Sequence, residues 1–136
     1  MEDILLVGAT GYTGAITLAA LEKRDLPCII VGRNENKLKR LKERHSNVTE
    51  IRIASATDAS SLNRAFDGAG VVINTVGPFQ QFGIQVLEAS IHAGAHYVDS
   101  TAEQAFQKSA METFHHKAKE KNLTILTGHA CDFSFS

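Results

Sequence analysis

Three glycines spaced three residues apart, Gly8, Gly11 and Gly14, follow directly on a short apolar segment near the start of the chain. That segment, residues 4–8, has the composition of a buried β-strand, whereas residues 13–23 carry apolar side chains at helical spacing. The glycines therefore occupy a turn from a strand into a helix. Gly8 permits a tight turn, Gly11 leaves the backbone open to close approach, and Gly14 lets the helix pack closely on the sheet. A chain with this beginning is predicted to fold as an α/β domain.

Short β-branched segments alternate with longer amphipathic segments along the rest of the chain. Strands are predicted at residues 4–8, 28–32, 48–54, 71–76, 96–99 and 124–128. Helices are predicted at residues 13–23, 35–44, 58–66, 82–93 and 103–121, with Asn34 as the N-cap of the second helix. Strands that alternate with helices and are joined by right-handed crossovers form a doubly wound parallel sheet, the Rossmann-type architecture. The 136 residues are enough for one such domain.

The composition argues against several classes of function. The chain has 14 Lys and Arg against 15 Asp and Glu, a formal charge of −1, so no basic excess points to nucleic acid. No apolar segment approaches the roughly 20 residues that a membrane-spanning helix needs. No secretory segment is apparent before the first strand. The two cysteines, Cys28 and Cys131, are therefore expected to be reduced thiols in a cytoplasmic protein.

The glycine turn has the context of a dinucleotide-binding fingerprint, because it follows a strand and opens a helix. Its spacing, G-x-x-G-x-x-G, is a variant of the usual G-x-G-x-x-G. The first turn of the helix offers free N–H groups and the positive end of the helix dipole to a pyrophosphate. The residues of this turn that are predicted to bind the cofactor are Gly8, Thr10, Gly11, Tyr12, Thr13 and Gly14. A glycine-rich turn without a ligand stays an alternative, whereas a P-loop is excluded because no Gly-Lys-Ser or Gly-Lys-Thr follows.

The end of the second strand indicates which dinucleotide would bind. A site for NAD usually has Asp or Glu there to accept a hydrogen bond from the ribose 2′-hydroxyl, but this chain has Arg33 and Asn34. A planar guanidinium suits a 2′-phosphate, so Arg33 is predicted to bind that group of NADP, with Asn34 and Lys37 as further contacts. NAD is the less favoured cofactor. In that alternative Arg33 is a solvated loop residue and Glu35 binds the ribose. Asp58 is also assigned to the cofactor site.

Further candidate residues follow the fourth and fifth strands, whose carboxyl ends should line the same crevice. The candidates along the cofactor are Asn74, Val76, Gly77 and Pro78, with an ordinary strand-ending turn as the alternative. Asp99 and Glu103 are expected either to cap the helix that follows the fifth strand or to face the nicotinamide. No catalytic residue can be assigned. No metal site is predicted, because no cluster of Cys, His and carboxylate residues has the spacing of a ligand set.

Taken together, these motifs resemble the NAD(P)-binding domain of the saccharopine dehydrogenase-like family, whose relatives include saccharopine reductases and trans-acting enoyl reductases. The resemblance runs through essentially the whole chain. It rests on residues 8–14, Gly32-Arg33, residues 72–79 with Gly83, and residues 94–99 with Glu103. Two departures concern the substrate side. Ala102 stands where the family usually has Gly, and residues 130–134 keep only Asp132 of the family's Gly-Phe-Asp-Ser stretch.

The resemblance implies an NADP-dependent oxidoreductase in which the cofactor carries out hydride transfer and the protein orients it. Residues 1–136 would then be the N-terminal fragment of a two-domain protein, with a small-molecule substrate bound mainly by a C-terminal domain. Such a fragment is expected to bind cofactor without turnover. The substrate is not identified, and assembly into a homo-oligomer is left open. Two other classes stay as alternatives: an NADP-sensing regulator resembling the NmrA-like proteins, and a structural or dimerisation module.

Overall fold

Strands and helices alternate throughout residues 3–128, the part of the chain that this computed structural model describes. The strands are β1 Asp3–Val7, β2 Cys28–Gly32, β3 Val48–Ile53, β4 Ala69–Asn74, β5 His96–Asp99 and β6 Ile125–Leu126. The helices are α1 Tyr12–Lys23, α2 Glu35–Arg44, α3 Ala59–Ala65, α4 Phe79–His92 and α5 Gln104–Glu120. The strands belong to one sheet, so the predicted α/β architecture is confirmed.

The sheet has the strand order β3-β2-β1-β4-β5-β6, and all neighbouring pairs are parallel. In the middle of the sheet, Val7 of β1 is in register with Val31 of β2 on one side and with Asn74 of β4 on the other. The chain first builds the sheet outward through β2 and β3, then returns to the opposite side of β1 with β4. This reversal opens a crevice at the carboxyl ends of the central strands, where ligands of doubly wound folds bind.

Alternate side chains of the central strands fill two apolar layers, one on each face of the sheet. On one face, Leu6 and Ile30 belong to a cluster with Leu18 of α1 and Leu38 of α2. On the other face, the alternate residues of β1 and β2 belong to a larger cluster with α3, α4 and α5, in which Phe106 is fully buried. Because both faces are covered, the central strands are continuous apolar segments rather than alternating ones.

Helix α4 begins earlier than the sequence predicted. Its first residue is Phe79 instead of position 82, and its N-cap residue is Pro78. The side chain of Glu103, which lies in the loop before α5, accepts hydrogen bonds from the N–H groups of Phe79 and Gln80. This contact satisfies two donors of the first turn, which local sequence signals do not reveal.

Two strands also differ from their predicted bounds. β4 spans Ala69–Asn74 instead of 71–76, because Ala69 already pairs with β1 and the Asn74 side chain turns the chain by accepting a hydrogen bond from the Val76 N–H. β6 is Ile125–Leu126 instead of 124–128, since the N–H of Gly128 is bonded to Asp99 rather than to a strand. The other predicted elements agree within one residue at each end.

Among the described residues, no helix is both long and apolar enough to cross a membrane. Cys28 is buried as a free thiol in β2. Cys131 and the segment 130–134, on which two expectations depended, lie outside the described residues.

Candidate dinucleotide-binding groove

A groove of about 300 Å³ runs along the carboxyl ends of β1, β2, β3 and β4. It is lined by Gly8, Thr10 and Gly11 after β1, by Gly32 and Arg33 at β2, by residues 54–57 after β3, and by residues 75–77 after β4. The floor contains apolar side chains such as Val7, Val31 and Leu62. Polar backbone and an exposed cation around an apolar floor suit a ligand with a flat ring and phosphate groups.

Two of the three glycines are required by the packing of the protein itself. Gly8 has φ +93°, and a Cβ atom on it would lie 2.9 Å from Cγ2 of Val76 and would also press on Oγ1 of Thr75. A Cβ atom on Gly14 would overlap the carbonyl group of Gly8. Gly8 therefore allows the strand to turn beside the β4 loop, and Gly14 allows α1 to approach that turn.

Gly11 is different, because the protein leaves room at this position. A Cβ atom on Gly11 would meet only the carbonyl oxygen of Gly8, at an ordinary contact distance of 3.5 Å. Gly11 is the N-cap residue of α1, and no side chain caps this helix. By contrast, Asn34 accepts a hydrogen bond from Lys37 N at 3.1 Å at the start of α2. The open space and the uncapped N–H groups fit an anion bound at the start of α1.

Arg33 lies where the groove meets a second, more open cavity of about 580 Å³. Thr10 and Arg33 line both cavities, and residues 34–37 complete the second one. Glu35 is the acidic residue in that lining, and it pairs with Lys39 at 3.2 Å within α2. Arg33 is exposed and therefore accessible to a ligand. An exposed guanidinium beside a groove, next to an acidic group that already has a partner, suits a phosphate.

Asp58 does not line the groove. It is exposed and accepts a hydrogen bond from Ser61 N at 3.3 Å, which caps α3. The residues of this loop that do line the groove are 54–57, directly after β3. These residues were not among the predicted site residues, although the rule that applied to Asn74 also applies to them, because the carboxyl end of every central strand faces the crevice.

The loop after β4 lines the groove with Val76 and Gly77, while Asn74 lies underneath it. Asn74 is fully buried, and its Oδ1 accepts a hydrogen bond from Val76 N at 3.0 Å. Its Nδ2 donates to the hydroxyl of Tyr97 at 3.2 Å. Pro78 follows a cis peptide bond and is the N-cap residue of α4. Asn74 therefore supports the lining without forming part of it.

One expectation was that Asp99 and Glu103 cap the helix that follows them, α5. Neither side chain caps this helix. One oxygen of Asp99 accepts hydrogen bonds from Thr101 N at 3.1 Å and Gly128 N at 3.0 Å. Its other oxygen accepts from the Tyr97 hydroxyl at 2.7 Å. Burial, with the nearby Asp99 carboxylate, raises the pKa of Tyr97, so this hydroxyl stays protonated and can donate. Glu103 stands at the N-cap position of α5, but its side chain caps α4 instead.

The predicted site residues thus lie in different places relative to the groove. Those that line the groove are Gly8, Thr10, Gly11, Arg33, Val76 and Gly77. Asn34 lines the adjoining cavity, whereas Gly14, Asn74 and Pro78 shape the turns behind the lining. Tyr12 and Thr13 are exposed on the first turn of α1, with Tyr12 84% accessible. Asp58 lies outside the groove.

Residues 4–126 match the family model described as the saccharopine dehydrogenase NADP binding domain. The chain belongs to this family. The resemblance seen in the glycine turn and in the segments after β4 and β5 is therefore confirmed, and the family's description agrees with the predicted cofactor, NADP.

Several relatives have a similar sequence over nearly the whole chain. A lipid droplet localized protein of Caenorhabditis elegans is 30% identical, covering 96% of this chain and 33% of its own length. A trans-acting enoyl reductase of Mycobacterium ulcerans is 29% identical, covering 96% and 32%. The human saccharopine dehydrogenase-like oxidoreductase is 30% identical, covering 95% and 34%. The chain thus spans about a third of the length of these relatives.

Solved structures share the fold at lower sequence identity. Saccharopine dehydrogenase from Saccharomyces cerevisiae superposes with a TM-score of 0.76 at 17% identity, over 97% of this chain and 28% of that one. The triphenylmethane reductase of Citrobacter, in a complex with NADP(H), gives a TM-score of 0.71 at 23% identity, over 92% and 48%. Both likenesses establish the Rossmann-type fold.

Proposed function

We propose that this chain binds NADP(H) in the groove and serves as the cofactor domain of an oxidoreductase. The observation that carries the proposal is that Gly11 and Arg33 line the same groove, one beside an uncapped helix N-terminus and the other as an exposed cation. A dinucleotide phosphate needs these two features, because its pyrophosphate and its 2′-phosphate must both be bound. Family membership and the NADP(H) complex of the Citrobacter reductase support the assignment.

The order of the strands suggests how the cofactor would lie. Arg33 would bind the 2′-phosphate, and residues 54–57 would contact the adenosine half, since both lie on the β2 and β3 side of the groove. The pyrophosphate would lie at Thr10 and Gly11, with the N–H groups of the first turn of α1. The nicotinamide half would then extend over residues 75–77, on the β4 side.

The bound cofactor supplies hydride transfer, and the residues of this chain bind and orient it. Oxidoreductase activity is proposed for the whole protein, as the names of the human and mycobacterial relatives suggest. Because the chain spans about a third of these relatives, we propose that a further domain binds a small-molecule substrate and that residues 1–136 alone bind cofactor without turnover. No residue of the groove is assigned a catalytic role.

Two other classes, a redox-sensing regulator and a structural module, are less favoured. A structural module would not require the space beside Gly11 that the packing of the protein leaves open. A regulator resembling the NmrA-like proteins would bind NADP but reduce nothing, whereas the family to which the chain belongs is named for a dehydrogenase. Activity of the full-length protein with an imine or enoyl substrate would exclude the regulator.

The proposal is tested by calorimetric titration of the purified chain with NADPH and with NADH. Micromolar binding of NADPH, tighter than that of NADH, is expected. Equal binding of both would mean that the 2′-phosphate is not recognised. Absence of binding would favour the structural module. Sedimentation of the same sample would report whether the chain forms a homo-oligomer.

A cytoplasmic location also belongs to the proposal. The relative in Caenorhabditis elegans is named a lipid droplet localized protein, so a lipid-droplet location is the competing possibility that needs testing. Fluorescence microscopy of the full-length protein, with and without a lipid-droplet stain, distinguishes diffuse cytoplasmic signal from droplets.

A further inference from the structure

A buried chain of hydrogen bonds connects the carboxyl ends of β4 and β5 beneath the groove. Asn74 Nδ2 donates to the Tyr97 hydroxyl at 3.2 Å, and that hydroxyl donates to Asp99 at 2.7 Å. All three residues are at most 1% accessible. The groups lie in the core and do not line the groove, so the cofactor role proposed above does not require their direct contact.

The chemistry of the three groups fixes the direction of these bonds. The Asp99 carboxylate is an acceptor, so the Tyr97 hydroxyl must use its single proton to donate to it. The hydroxyl oxygen can then only accept from Asn74, which turns the amide so that Nδ2 faces Tyr97. As a result, Oδ1 of Asn74 faces the opposite way and accepts from Val76 N at 3.0 Å.

Val76 is the point where this chain of bonds reaches the groove. Val76 and Gly77 line it on the β4 side, and Val76 lies close enough to Gly8 to exclude a Cβ there. The far end of the same loop is held by Glu103, which accepts hydrogen bonds from Phe79 N and Gln80 N. Side chains from the β5 and α5 region therefore hold the loop at both ends.

We propose that Tyr97 is a positioning residue for the nicotinamide half of the cofactor, acting through Asn74 on the backbone of Val76 and Gly77. The proposal rests on the proposed function, because it assumes that NADP(H) occupies the groove. Removal of the Tyr97 hydroxyl releases the Asn74 amide, so the β4 loop loses the conformation that receives the nicotinamide ribose. The adenosine half, on the β2 and β3 side, keeps its contacts.

The test compares two probes, NADPH and adenosine 2′,5′-bisphosphate, the second of which contains only the adenosine half with its 2′-phosphate. Tyr97→Phe is expected to weaken NADPH binding about tenfold while changing bisphosphate binding less than about twofold. The matched control is Ser90→Ala. It removes a buried hydroxyl that donates to Ala95 O at 3.3 Å, near the amino end of β5 and away from the groove. This variant should bind both probes as the wild type does.

A second variant tests the direction of the bonds. Asp99→Asn keeps the shape of the side chain but presents an amide donor to Tyr97. The Tyr97 hydroxyl must then donate its proton toward Asn74, and the Asn74 amide must turn so that Oδ1 faces Tyr97 instead of Val76 N. The same selective loss of NADPH is expected, and this variant decides the question if Tyr97→Phe does not fold.

The outcomes separate the two proposals. If the wild-type chain binds neither probe, the proposed function fails. If the wild type binds both, the positioning role is overturned when the folded variants weaken both probes equally or weaken neither. It is also overturned when Ser90→Ala weakens NADPH binding as much as Tyr97→Phe does.

Discussion

A Cβ atom on Gly14 would overlap the carbonyl group of Gly8, so α1 and the end of β1 approach each other as closely as two backbones can. Gly11, between them in sequence, faces open space instead. The reason for glycine therefore differs among these three regularly spaced positions. Two of the glycines are required by the packing of the protein, whereas a side-chain Cβ would fit at the third.

Alanine at Gly14 should mainly lower stability, whereas alanine at Gly11 should mainly weaken cofactor binding. Gly14→Ala is expected to lower the free energy of unfolding by about 1–3 kcal/mol, the usual cost of overpacking. Gly11→Ala should cost less than about 1 kcal/mol, the difference between residues at an N-cap, but it should weaken NADPH binding at least about tenfold. Urea denaturation and calorimetry measure the two effects. A Gly11→Ala variant that binds NADPH like the wild type would refute the assignment of the pyrophosphate to this turn.

The capping of α4 by Glu103 gives a prediction about stability. Glu103→Ala removes the acceptors of the Phe79 and Gln80 N–H groups and should lower the free energy of unfolding by about 0.5–2 kcal/mol, the cost of losing a helix cap. Glu112→Ala is the control, because Glu112 is exposed in the middle of α5. This variant should change the free energy of unfolding by less than about 0.5 kcal/mol. Equal urea midpoints for the two variants would contradict the capping role.

The buried thiol of Cys28 predicts a loss of stability in alkali. Burial raises its pKa from 9.0 to about 11, because the folded state disfavours the thiolate. Above pH 9.0 the unfolded chain loses this proton first, so the thiol's contribution is complete below that pH and declines toward pH 11. We expect the free energy of unfolding to fall more steeply over this range in the wild type than in Cys28→Ala. Parallel pH profiles of the two proteins would exclude this contribution.

The fold was predictable because its signals are local. Strand and helix periods, the glycine turn and the Asn34 cap each lie within a few neighbouring residues, and each of them correctly located an element or its boundary. The start of α4 was wrong because its cap comes from Glu103, 24 residues along the chain from Phe79. A cap from a residue so distant in the sequence cannot be recognised from the residues of the helix itself.

The lining of the groove was predictable only where its residues belong to a recognised motif. Gly11 and Arg33 line the groove as their motifs suggested. Asp58, which was assigned to the cofactor site, caps α3 instead, and residues 54–57, which were not assigned, line the groove. Tyr97 was part of the family resemblance, but its link to the groove depends on a buried side chain of another strand, Asn74. A hydrogen bond of this kind, between side chains of two strands, can be predicted only once the strand order is known.

Arg33 is proposed to select the cofactor by its 2′-phosphate. The most direct measurement is calorimetric titration of Arg33→Ala with NADPH and NADH, beside Arg44→Ala, which removes an exposed cation from the far end of α2. Loss of a hydrogen bond to a charged group costs about 1.5–3 kcal/mol, so Arg33→Ala should bind NADPH about 10- to 150-fold more weakly and NADH as before. Arg44→Ala should behave like the wild type. Equal weakening of both cofactors by Arg33→Ala, or unchanged NADPH affinity, would contradict recognition of the 2′-phosphate by Arg33.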